Sequence, residues 1–85
     1  MPRFIDRHPT NHNLPPEMLA QIKQRLSSGH VDEFGEKGIH VFIGQHETFC
    51  YTEAPSAEAV RKSHAAMGID LRPEDVVEVQ VLLDE

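Results

Sequence analysis

The stretch Ile39-His40-Val41-Phe42-Ile43-Gly44, then Gln45-His46-Glu47, then Thr48-Phe49-Cys50-Tyr51-Thr52 sets two runs of β-branched and aromatic residues around three polar ones. That spacing predicts a β-hairpin. Downstream, Pro55-Ser56-Ala57-Glu58 opens a helix whose inner stripe is Ala57, Val60, His64 and Met67, and Gly68 stops it. Val76 to Leu83 then reads as a closing strand, with Val77, Val79 and Val81 on a buried face and Glu78 and Gln80 on a polar one.

Upstream of the hairpin, Pro15, Pro16 and Glu17 suit a helix start, and Met18, Leu19, Ile22 and Leu26 make one apolar stripe. Its end is either Ser27-Ser28-Gly29 or a turn or two later, since Val31 and Phe34 would continue the stripe before Gly35 and Gly38. Arg3 to His8 forms the first strand, halted by Pro9 and the polar Thr10-Asn11-His12-Asn13. The order is strand, helix, strand, strand, helix, strand. This is the ferredoxin-like α+β arrangement: an antiparallel sheet of four strands, ordered 4-1-3-2, with both helices on one face.

An 85-residue chain is one domain, residues 1–85, and buries only roughly 60–65% of its unfolded surface. Small cores gain support from a metal, a disulfide or a second subunit, and a single Cys excludes an internal disulfide. Hydrophobic residues at 39% and charged ones at 26% suit a globular domain rather than a disordered one. A net charge of −6 with eight scattered Lys and Arg argues against nucleic acid as a partner. No apolar run approaches the roughly 20 residues that span a bilayer, and the opening residues do not resemble a signal peptide. With one unpaired Cys, the expected compartment is the cytoplasm.

The strand order places the first strand beside the third, antiparallel, so Asp6 and His8 lie near Phe49 and Cys50. The second helix returns toward the same end and brings His64 with it. Asp6 and His8, two apart, project from one face of their strand. The geometry therefore gathers Asp6, His8, Cys50 and His64, provided that the register turns all four the same way. Carboxylate, imidazole and thiolate together suit nickel, copper, zinc, cobalt or iron. Each residue also has a plainer reading. His64 on an apolar stripe fits a packed histidine bonded to a carbonyl or carboxylate, and Cys50 fits a small hydrophobe. Asp6 in mid-strand needs a cation, and Arg3 or Arg7 would serve. His40 and Glu53, neighbours toward the opposite edge of the sheet, read as a surface pair or a second, weaker site.

No catalytic motif stands out: there is no phosphate-binding Gly loop, nucleophile elbow or His-Glu-x-x-His pattern. The enzyme reading has only a Cys50 and His64 pair, without a recognisable oxyanion hole.

Phe4-Ile5-Asp6-Arg7-His8, Gly38-Ile39-His40-Val41, and Cys50-Tyr51-Thr52-Glu53-Ala54-Pro55-Ser56-Ala57-Glu58-Ala59-Val60 through His64 resemble a family of small bacterial proteins of unknown function that includes a nickel-binding protein. The resemblance implies a ferredoxin-like fold, a homodimer packed through its sheets, and nickel held by His, Asp, Glu or Cys side chains. The positions that match are Asp6, His8, His40, Cys50, Glu53 and His64. Pro9 departs from the pattern, since members often carry a second His there. The expected function is sequestering or carrying nickel or a similar divalent ion, with affinity falling below about pH 6.5 as the ligands gain protons. The rival is a dimeric α/β-barrel-type small-ligand-binding protein or small enzyme with a cavity lined by Cys50 and His64.

Overall fold

In the computed structural model, which describes residues 1–83, the hairpin is formed by β2 (Lys37–Ile43) and β3 (Glu47–Glu53). Gly44 makes its turn possible: its amide bonds the Glu47 carbonyl at 2.8 Å, and a Cβ at Gly44 would lie 2.7 Å from that oxygen. Only glycine fits there. β1 (Arg3–Pro9) runs antiparallel to β3, and β4 (Val76–Val79) antiparallel to β1, which gives the order β2-β3-β1-β4. With α1 (Pro16–Ser28) and α2 (Ala57–Ala66) in the connections, the βαββαβ order of a ferredoxin-like fold is complete.

Gly29 settles where α1 ends. It takes a left-handed φ of 69° and returns its amide to the Arg25 carbonyl, so the helix stops there and Val31 instead bridges Lys37. Ser56 caps α2 by accepting the Ala59 amide at 3.1 Å. The two helices differ in what they bury. α2 places Val60, Ser63 and His64 out of solvent, whereas α1 fully buries nothing and leaves Leu19, Ile22 and Leu26 half-buried, with contacts chiefly to β2. Phe4, Ala54, Val60, Leu71 and Val76 consequently form the core, on the α2 side of the sheet. The α2 stripe keeps Val60 and His64 as expected, but Ala57 and Met67 are exposed and Ser63 takes a buried place.

β4 departs from expectation twice. It ends at Val79, not Leu83: Val79 pairs with Arg3, where β1 starts, and Pro2 before it has no amide to donate to a longer ladder. Its phase is also opposite. Val76 is the buried valine, while Val77 is 57% exposed and pairs with Ile5 on the uncovered face.

That uncovered face belongs to the whole sheet. Alternation along β1 turns Phe4, Asp6 and His8 inward, toward α2, and Arg3, Ile5 and Arg7 outward. The ladder carries this to β3, where Thr48, Cys50 and Thr52 face inward and Phe49, Tyr51 and Glu53 outward. A bulge at Ile39 shifts the register of β2, so that His40 pairs with Tyr51 and Val41 with Cys50.

Candidate metal centre

Asp6 and Cys50 are directly opposite one another in the β1–β3 ladder, both inward, and His8 follows Asp6 on the same face. α2 lays His64 over them. One ligand atom from each of Asp6, His8, Cys50 and His64 falls within 4.8 Å of all the others. The register thus meets the condition on which the four-residue site depended.

Both imidazoles are oriented by backbone carbonyls. His64 Nδ1 lies 2.9 Å from the Val60 carbonyl and His8 Nδ1 lies 3.1 Å from that of Pro9. A carbonyl only accepts, so each Nδ1 carries a proton, and whenever the ring is neutral its Nε2 presents the lone pair. His8 Nε2 stands 3.8 Å from Cys50 Sγ, and His64 Nε2 stands 3.2 Å from Asp6 Oδ1. Ring centroids of the two histidines are 5.8 Å apart. A backbone oxygen behind a ring nitrogen is also how proteins aim a metal-binding histidine.

Asp6 decides between the plain and the functional reading. Its side chain is wholly buried, and neither carboxylate oxygen has a hydrogen-bond donor among the described residues. The 3.2 Å approach of His64 has the distance but not the alignment of a hydrogen bond. Arg3 and Arg7, the arginines that would have compensated it, point out of the other face and pair with Glu53 and Glu47. A buried carboxylate that accepts no hydrogen bond is costly. A cation among Asp6, Cys50 and the two Nε2 atoms removes that cost, so the donor set fits a transition metal.

Protons serve as the alternative cation. Burial pulls the His64 pKa down, but the carboxylate of Asp6, with Cys50 and then Glu36, outweighs it and raises His64 from 6.5 to about 11. Burial pushes the Cys50 thiol up, against the pull of His64. Glu36, which sequence reasoning missed, is pushed by burial to about 7. Its loop is shaped locally, since Asp32 Oδ1 accepts the amides of both Phe34 and Glu36 at 2.9 Å in an Asx-turn pattern, but nothing local shows that the loop reaches His64.

His40 and Glu53 are not part of this group. His40 is on the outer face, stacked on Tyr51 at 6.3 Å, and Glu53 accepts from Arg3 at 3.3 Å. Both border a cleft of about 520 Å³ that also touches Arg3, Lys37 and Tyr51, and whose walls include neither Cys50 nor His64.

The fold and the site together define a small ferredoxin-like α+β domain with a buried His, Cys and carboxylate cluster. Residues 4–79 match the family model described as Nickel responsive protein SCO4226-like, and the chain belongs to that family. No curated protein and no solved structure matches it. Among the described residues no helix is long and apolar enough to cross a membrane.

Proposed function

We propose that the protein binds a divalent transition-metal ion, nickel foremost, through Asp6, His8, Cys50 and His64, and sequesters or carries it. The observation that carries this reading is the buried Asp6 carboxylate, unbonded at both oxygens and gathered with two imidazoles and a thiol within 4.8 Å. The family description adds nickel to a donor set that by itself suits several metals. The ion would replace the His64 Nε2 proton as the positive charge beside Asp6 and hold the thiol as thiolate. A single unpaired thiol suits a reducing compartment, which supports the cytoplasm as the proposed location.

Two chains pack outer face to outer face in this reading. Ile5, Phe42, Phe49 and Val77 are exposed there, and an apolar sheet face of this kind marks an interaction site. The partner is a second copy. The face carries its charges as internal pairs, Arg3 with Glu53 and Arg7 with Glu47, so two copies meet without like-charge repulsion.

Titration of chelator-treated protein with Ni²⁺, followed by calorimetry and thiolate-to-nickel absorption, tests the site. Near-stoichiometric binding is expected, with His8→Ala and Cys50→Ala each losing affinity and Cys50→Ala losing the absorption band. No binding, or binding unchanged in both variants, overturns the reading.

A further inference from the structure

Behind His64, on the side away from Asp6 and Cys50, stands a carboxylate with one buried oxygen that accepts no hydrogen bond. Glu36 is nine-tenths buried, and its Oε2 has no hydrogen-bond donor among the described residues. That oxygen is 3.7 Å from His64 Nδ1. The Nδ1 proton meanwhile goes to the Val60 carbonyl, an oxygen that regular helical pairing already offers to the His64 amide.

Glu36 is held there by more than chance packing. Asp32 Oδ1 accepts from its amide, the Asp32 amide donates to its carbonyl at 3.0 Å, and Asp32 Oδ2 accepts from the hydroxyl of Ser63, the neighbour of His64 on α2. Val31 bridging Lys37 closes the same loop from outside. Burial would raise the Asp32 pKa, but these bonds keep its carboxyl below the ordinary range, so the clasp stays charged at neutral pH. A tied loop thus carries a buried carboxylate to the back of a metal-facing imidazole.

We propose that Glu36 is a positioning residue for the metal centre, its carboxylate accepting a hydrogen bond from the His64 Nδ1–H when Nε2 bonds the ion. The inference rests on the metal-binding reading above. Closing 3.7 Å to a hydrogen bond needs a movement of about 1 Å. A carboxylate behind a ligating histidine makes the ring a stronger donor than a carbonyl does and fixes its plane. It also gives the orphaned Oε2 its donor. Asp6 and Glu36 then sit on opposite sides of one ring, the first toward the ion and the second behind it.

Glu36→Gln keeps the size and removes the charge. Ni²⁺ titration of this variant beside the parent chain should show a 10- to 100-fold loss of affinity, the usual cost of losing such a partner. The ligand-field absorption of the Ni²⁺ complex should shift as well, while the metal-free variant melts no lower than the parent. Affinity within about twofold of the parent, with an unchanged spectrum, overturns the proposal. Should Glu36→Gln fail to fold, Glu36→Asp, which keeps the charge but withdraws the carboxylate by one methylene, is read by the same two measurements and the same thresholds. A parent chain that binds no Ni²⁺ sinks the metal reading itself, whereas a binding parent with an indifferent variant sinks only the role of Glu36.

Discussion

The two faces of the β1–β3 pair come from the same fourteen positions and have opposite chemistry. Inward, Phe4 seals the core and Asp6 and Cys50 hold polar atoms out of water beside the half-buried His8; outward, Ile5 and Phe49 lie between ion pairs and remain 39% exposed each. A strand alternates sides at every residue, so one ladder builds both surfaces without either intruding on the other. The lesson is one of separability: substitutions inward should act on stability and metal, and those outward on association.

The largest effect should come from Phe4→Ala, which empties the middle of a small core. It should cost about 3–5 kcal/mol in urea unfolding, against a total of roughly 4–13 kcal/mol for a chain of this length. A cost below about 1 kcal/mol would mean that the inner face is not where this fold is held together.

Acidity should come next, and it should act inward. His64 is raised from 6.5 to about 11, so the folded chain holds an extra proton across that interval and loses stability as pH rises through it. Glu36, raised from 4.5 to about 7, acts in the same direction over its own interval. Metal-free protein should therefore have a higher urea midpoint at about pH 6 than at about pH 9. Nickel competes with the same protons, so its affinity should keep rising above neutrality instead of levelling off above about pH 6.5. A metal-free midpoint that rises from pH 6 to pH 9 would contradict the charged His64 and Asp6 pair.

The smallest effect on folding should come from the outer face. Phe49→Glu should change the folding free energy of the dilute chain by about 1 kcal/mol or less, yet convert a sedimenting dimer to single chains. If the parent already sediments as a single chain, or the variant still pairs, the outer face does not serve association.

Much of this separation was legible in the residues. Asp6 and His8, two apart, had to share a face, and the strand order had to bring them to Cys50 and His64. Phase was less legible than period. The alternating valines of β4 announced two faces but not which was covered, and the register placed Val77 and Val79 outward with Ile5 and Arg3. For His64 the packed-histidine reading was half correct, since Nδ1 does bond a carbonyl, and that bond frees Nε2 for other work. Glu36 was hidden for a different reason. It acts from a loop whose path depends on Asp32 reaching Ser63, a contact 31 residues apart in sequence that no local pattern announces.

The bulge at Ile39 sets the composition of the inner site by counting. Gly38 pairs with Thr52, so an unbroken ladder would seat His40 opposite Cys50, facing inward among the ligands. One surplus residue reverses that parity: Val41 stands beside the thiol, and the imidazole goes to the far side of the sheet. A single backbone irregularity thus limits this wall to one sulfur donor with an aliphatic neighbour. Deleting Gly38 or inserting a residue at Ile39 would be a change in coordination chemistry as much as in shape.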